Sequence, residues 1–263
     1  MYMNNHIVNK ELIRQRFARS VDSYQQEATI QSLITQKMTE RLTHYLPNHL
    51  ASVLEFGCGR GGFTRAFLNK FQPEMFWIND LCPEMEEALS DILKKYPKFQ
   101  FIPGDIEHTT LPQNLDAIVS CSALQWFESP VDFIHKCAQQ VVSGGILAFS
   151  TFGPKNLLEI AEITGVSLPY ISLEDWKKAL TEDYQILEAT EDIRQLYFQS
   201  PLNVLQHLKK TGVNGICAMR WNKTKLEHFV TQYTKCFGNI NSEHIQKVPL
   251  TYHPIYIIIQ KRK

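Results

Sequence analysis

Between residues 51 and 151 the apolar positions follow one repeating rhythm. Short apolar runs at 51–56, 75–80, 99–103, 115–121 and 145–151 read as strands. Stretches at 62–70, 83–96 and 130–141, with an apolar residue every three or four positions, read as helices. Strands alternating with helices of this length predict an α/β fold, a doubly wound parallel sheet with right-handed crossovers. Upstream, 10–46 carries helical spacing with no glycine and no proline, so it predicts N-terminal helices. Beyond 151 the rhythm changes. Helices are expected at 154–163, 173–180, 201–210 and 223–237. A strand is expected within 184–198, and a β-branched, aromatic strand over 248–260 closes the pattern. No internal repeat or low-complexity linker interrupts the chain. One domain is expected over 1–263, with helices at 10–46 capping a core at 51–152, then the sixth strand and a helical lid at 153–247, and a final strand at 248–262.

The first strand leads into the most informative turn. Gly57, Gly59 and Gly62 satisfy the dinucleotide fingerprint G-x-G-x-x-G, and Asp80 ends the next strand, where a carboxylate can accept from ribose hydroxyls. A nicotinamide site is one reading. Glu55, two residues before the first glycine, argues for another. Dinucleotide sites need no carboxylate there, whereas the ammonium and sulfonium of S-adenosylmethionine are both positive. Gly61 adds a further glycine, and Gly104-Asp105-Ile106 follows the third strand, where an acceptor can read an adenine amino group. The bland alternatives are an ordinary strand-to-helix turn for the glycines, a helix N-terminal charge for Asp80 and a surface carboxylate for Glu55.

These segments resemble the successive motifs of class I methyltransferases. The flanks resemble the malonyl-acyl carrier protein O-methyltransferases that open biotin synthesis. That likeness runs through Phe17-Ala18-Arg19-Ser20-Val21-Asp22-Ser23-Tyr24, Gly104-Asp105-Ile106-Glu107, Ser122-Ala123-Leu124-Gln125-Trp126, Leu208 to Asn214 and Pro249-Leu250-Thr251-Tyr252-His253. It departs at Cys82, where serine is common, and at Cys121, where asparagine is expected. The resemblance implies a Rossmann-like class I fold: a seven-stranded, mostly parallel sheet with an antiparallel last strand, helices on both faces and a helical lid. It implies S-adenosyl-L-methionine contacts at Tyr24, Glu55, Gly57, Cys58, Gly59, Asp80, Leu81, Asp105, Ile106 and Cys121. It also implies methyl transfer to the free carboxylate of a malonyl thioester on acyl carrier protein. A carboxylate is ionised at neutral pH, so no general base is expected. Tyr24, Gln125, Trp126, Tyr252 and His253 are candidates for the wall around the methyl group. Each has a structural alternative: a packing aromatic for Tyr24 and Trp126, a hydrogen-bonded core histidine for His253.

Charge sharpens the choice of partner. Lys+Arg and Asp+Glu are both 27, so no global attraction to nucleic acid or membrane is expected. Yet 193–226 holds no Asp or Glu while carrying Arg194, Lys209, Lys210, Arg220, Lys223 and Lys225. Such a patch suits an acidic carrier protein and its phosphopantetheine arm, with Lys209, Lys210 and Arg220 as docking residues. A solvated helical face is the alternative. Malonyl-coenzyme A is a second possible handle. Six cysteines form no C-x-x-C pair and no zinc-spaced cluster, so reduced thiols and no metal are expected. The first residues lack the apolar core of a signal peptide, and the longest apolar runs are too short to span a bilayer, so a cytoplasmic protein is expected. Two other functions stay open: methylation of a small free acid of aconitate type or a quinone precursor, and a non-catalytic binding module.

Overall fold

The strands are β1 (His49–Phe56), β2 (Gln72–Asp80), β3 (Phe99–Pro103), β4 (Leu115–Cys121), β5 (Val141–Phe152), β6 (Tyr184–Glu191), β7 (Arg194–Phe198), β8 (Asn239–Ile240), β9 (Gln246–Tyr252) and β10 (Pro254–Lys261). The helices are α1 (Thr29–Leu42), α2 (Gly62–Leu68), α3 (Met85–Ala88), α4 (Ser90–Lys95), α5 (Pro130–Ala138), α6 (Leu158–Thr164), α7 (Leu173–Leu180), α8 (Pro201–Lys210) and α9 (Lys223–Phe237). The structure, a computed structural model, describes residues 10, 11, 13, 14, 29–211, 221–240 and 246–262. Tyr24 and Arg220 lie outside the described residues, as do Gly212, Val213 and Asn214.

The chain divides into two compact units. The larger is built on 29–151, 171–191 and 255–262. Its sheet runs β3-β2-β1-β4-β5-β10-β6. β1 pairs in parallel with β2 and β4, β2 with β3, and β4 with β5, whereas β10 is antiparallel to β6. The antiparallel final strand follows the expected class I pattern. Strand order reverses between β1 and β4, and crossovers leave that point in opposite directions. A crevice therefore opens beyond the carboxyl ends of these two strands. The strands read as near-continuous apolar runs because their sheet is buried: Val53, Leu54, Phe56, Ile118, Val119, Leu147 and Phe149 are all enclosed.

The smaller unit takes its described strands and helices from 152–170 and 192–254. β9 lies between β7 and β8, antiparallel to both. Phe229 and Tyr233 on α9, Val204 and Leu208 on α8, and Leu250 on β9 are buried there.

Two expectations, the single closing strand and the helix over 83–96, are corrected, and the expected strand within 184–198 is joined by a second. The closing strand is two strands, β9 and β10, broken at His253. The His253 carbonyl accepts from Gly153 N–H (2.8 Å) and the Pro254 carbonyl from Asp192 N–H (3.0 Å), while Pro254 has no N–H to continue a ladder. The run 184–198 likewise divides, β6 pairing with β10 and β7 with β9. The helix expected over 83–96 is interrupted at Leu89, whose φ of −105° and ψ of 4° end α3; its side chain is fully buried. Among the described residues no helix is long and apolar enough to cross a membrane.

Candidate functional site

Glu55 sits near the end of β1, between Ile78 of β2 and Val119 of β4, and is 1% exposed. A charge so enclosed requires a partner. Its Oε2 has no hydrogen-bond partner among the described residues. Burial therefore pushes its carboxyl up to about 8, the Thr64 hydroxyl opposing and the Asp80 charge adding to the rise. Thr64 tempers the shift without completing a hydrogen bond, since its own Oγ1 is also unmet. A buried acid of this kind is poised for a cation.

The turn beyond β1 keeps its backbone bare. Gly57 has φ of +68°, and a Cβ there would lie 2.3 Å from that of Ala123, so only glycine fits. Gly59 has φ of +52° and faces open space, with nothing within 4 Å of a Cβ position. One glycine is thus a packing requirement, and the other leaves room for a ligand against the main chain. Gly59 N–H donates to Asp80 Oδ2 (2.7 Å) and Cys82 N–H to Asp80 Oδ1 (2.9 Å). These bonds fix the carboxylate at the end of β2. They also hold its acidity against burial, which raises its pKa on balance. The Cys82 side chain also bonds this carboxylate, which keeps further lone pairs. Cys58 N–H donates to the Asn79 carbonyl (2.9 Å), tying the same two loops together. Cys58 and Cys82 are buried free thiols, and burial raises the Cys58 pKa.

After β3, Asp105 Oδ1 accepts from Glu107 N–H (3.1 Å) and Oδ2 faces His108 Nδ1 (2.9 Å). Ile106 is buried beneath this turn. Leu81, beside Asp80, is half-buried. At the end of β4, Cys121 is half-buried with its thiol pKa raised by burial. Ser122 adopts φ of +58° and is pinned by Ser150, whose hydroxyl and carbonyl accept its N–H at 3.1 and 3.0 Å. Gln125 Nε2 donates to the Ser122 carbonyl (2.5 Å), and Trp126 follows in a single 3-10 turn. Ser122 Oγ and Gln125 Oε1 have no partner among the described residues. The sequence marks Ser122 only as the start of a segment that resembles the family. A non-glycine residue in the left-handed region is the signal that marks it, and no residue pattern announces that.

The smaller unit places its candidates differently. Tyr252 is buried on β9 with its hydroxyl 2.8 Å from His207 Nε2. His253 is also buried; its Nδ1 accepts from Lys155 N–H (3.1 Å), which puts the proton of the neutral ring on Nε2. Gly153 packs on that ring, leaving no space for a side chain. Lys209 and Lys210 are exposed in the last turn of α8, and Lys223 and Lys225 at the start of α9, where the helix dipole disfavours cations. Arg194, by contrast, pairs with Asp192 (2.8 Å). No group of three or more potential metal ligands occurs among the described residues.

The orphaned Glu55 carboxylate and the open backbone at Gly59 fit a ligand that is cationic and lies flat on the main chain. Sheet order and this cradle define the chain as a class I methyltransferase by fold. Residues 54–149 match the family described as "Methyltransferase domain". The solved N-methyltransferase NodS from Bradyrhizobium japonicum, in complex with S-adenosyl-L-homocysteine, superposes with a TM-score of 0.51 at 14% identity, over 85% of this chain and 87% of that one. The malonyl-[acyl-carrier protein] O-methyltransferase of Bacteroides thetaiotaomicron is 42% identical over 97% of this chain and 100% of its own length. That of Bacteroides fragilis is 43% identical over 97% of this chain, which spans 51% of that longer protein. The chain belongs to the malonyl-[acyl-carrier protein] O-methyltransferase family.

Proposed function

We propose that this protein transfers a methyl group from S-adenosylmethionine to the free carboxylate of malonyl-acyl carrier protein, giving the methyl ester that starts pimeloyl assembly for biotin. The observation that carries the cofactor half is the buried Glu55 carboxylate, whose Oε2 has no partner among the described residues, beside open backbone at Gly59. The substrate half rests on relatives that share this name over nearly the whole chain. Their name favours the carrier-bound malonyl group over a small free acid or a quinone precursor. When bound, S-adenosylmethionine supplies an electrophilic methyl group.

The chain's own residues bind, orient and exclude water. Glu55 offers a countercharge in a dry setting, where it is worth far more than in water. Asp80, held by two backbone N–H groups, accepts from ribose hydroxyls with its remaining lone pairs. Asp105 and Ile106 line the adenine position, with Asp105 oriented by Glu107 N–H. Cys58, Leu81 and Cys121 border the cradle, and Gln125 with Trp126 forms its wall beyond β4. The acceptor carboxylate arrives ionised, so rate comes from alignment and solvent exclusion rather than proton abstraction. Lys209, Lys210, Lys223 and Lys225 form a basic face for an acidic carrier protein, with Arg220 in the segment between. Malonyl-coenzyme A is a poorer substrate in this reading because it lacks the carrier's acidic surface. The reaction runs in the cytoplasm.

Mass spectrometry of the purified protein with labelled S-adenosylmethionine and malonyl-carrier protein tests this reading. A label-bearing methyl ester on the malonyl group is the expected product. Label transfer to a free acid alone would refute it.

A further inference from the structure

The glycine turn does not hold its shape unaided. Gly59 and Gly61 both carry positive φ, +52° and +77°, and Gly59 is exposed enough to be half-buried only. The side chain that reaches back to this turn is Arg65, one turn into α2. Its Nη1 donates to the Arg60 carbonyl (3.1 Å) and the Gly61 carbonyl (3.3 Å). Its Nη2 donates to the Ala88 carbonyl (3.0 Å) at the end of α3 and to Asp91 Oδ1 (2.6 Å) in α4. One planar guanidinium thus bonds the loop after β1 to the helices after β2.

The glycine beneath it is shaped for this contact. A Cβ on Gly61 would lie 2.5 Å from Arg65 Nη1 and 2.3 Å from Leu89 Cδ2. Leu89 is the residue that breaks the expected helix, and it fills the space beside the guanidinium. The missing side chain, the broken helix and the forked donor all serve one junction.

We propose that Arg65 is a positioning residue for the cofactor cradle: it ties the loop bearing Gly59 to α3 and α4, the helices that follow Asp80. That loop and Asp80 supply different parts of the cradle, the open backbone and the acceptor carboxylate, and the Gly59–Asp80 hydrogen bond joins them directly. Arg65 braces the same turn from its other end, against Ala88 and Asp91 in the helices that continue from Asp80. The Asp91 ion pair contributes little, because Arg65 and Asp91 side chains are 41% and 67% exposed. The three carbonyl bonds set the geometry, and a lysine cannot reproduce that fork. Arg65 touches none of the reacting atoms. Its loss therefore weakens cofactor binding and leaves the chemical step of the bound complex intact.

This inference rests on the reading of the cradle as the S-adenosylmethionine site. Calorimetric titration of the purified full chain with S-adenosylhomocysteine tests both. Arg65→Lys is expected to raise Kd roughly tenfold, the loss of one or two charge-assisted hydrogen bonds. Its KM for S-adenosylmethionine rises in parallel, while kcat at saturation stays within about twofold of wild type. Gly61→Ala pushes on the same junction from the loop side. The double variant is expected to bind no worse than the weaker single variant, because both break one contact. An Arg65→Lys variant with lowered Tm but unchanged Kd overturns the proposal and leaves Arg65 a simple helix staple. Fully additive losses overturn it as well. Wild-type protein that fails to bind S-adenosylhomocysteine overturns the cofactor reading, and the proposal with it.

Discussion

The carboxyl ends of β1 and β4 and the interior of the smaller unit both bury polar side chains, and they treat them in opposite ways. At the strand ends, Glu55 Oε2, Thr64 Oγ1, Ser122 Oγ and Gln125 Oε1 lack partners among the described residues. In the smaller unit the buried polar groups are spent on one another. Glu159 accepts from Thr251 N–H (2.9 Å) and Thr251 Oγ1 (2.5 Å), Tyr233 donates to the Pro249 carbonyl (2.7 Å), and His207 holds Tyr252. An unmet buried group costs on the order of 1–3 kcal/mol, so a fold keeps several together only where something else will meet them. The contrast separates a binding surface from a scaffold, although both contain the residue types a sequence reading marks as functional.

The largest effect that could break this contrast is at Glu55. Glu55→Gln removes a buried charge that lacks a partner until a cation binds. Affinity for S-adenosylmethionine should fall by at least about a hundredfold, as when one member of a buried charge pair is lost. The ligand-free protein should gain stability. Its pH behaviour follows from a folded pKa of about 8 against an ordinary 4.5. The folded state favours the protonated form, so this stability is present below pH 4.5 and is lost as pH rises through 8. Cation binding runs the other way and strengthens up to pH 8. From pH 6 to 9 the Tm of the ligand-free wild type should therefore fall while its affinity for S-adenosylmethionine rises, so that Tm and Kd decrease together, and Glu55→Gln should show neither trend. A kcat that tracks protonation of a histidine would count against the base-free mechanism.

Glu159→Ala should do the reverse: lose about 3 kcal/mol of stability, by stranding Thr251 N–H and hydroxyl, with cofactor Kd unchanged. Chemical denaturation beside calorimetry measures both. At the protein surface, Lys209→Glu with Lys210→Glu should raise KM for malonyl-carrier protein about tenfold and KM for malonyl-coenzyme A by less than about twofold. Equal increases would sink carrier docking. The smallest effect is expected at Tyr252→Phe, about 1 kcal/mol of stability from one lost hydrogen bond. If kcat instead falls sharply at constant Tm, Tyr252 belongs with the binding surface rather than the scaffold.

How much could be read in advance follows from the same physics. The larger unit was legible because buried parallel strands are apolar runs, and Glu55, Asp80 and Asp105 break those runs at or just past their carboxyl ends. Glycine at 57 and 59 marked backbone conformations that other residues resist. The break between β9 and β10 was hidden, because 248–260 stays apolar on both sides of it and both halves are buried. Pro254, permitted at the first position of a strand, was the available sign. The pinning of Tyr252 by His207 joins residues 45 apart, and no local pattern encodes it. Ser122 was legible only as part of the 122–126 likeness, because what sets it apart is a backbone angle.

One consequence of strand order concerns the ribosome. β10, made after the six other strands of its sheet, belongs between β5 and β6. β6 is synthesised some sixty residues before β10, and until residue 261 has emerged it has no neighbour to pair with in the principal sheet. The five strands from β3 to β5 can assemble early on the nascent chain, but the sheet closes only once residues 254–261 have been translated. A chain cut short before Pro254 would present two unpaired strand edges, those of β5 and β6, which is a template for aggregation rather than a smaller enzyme.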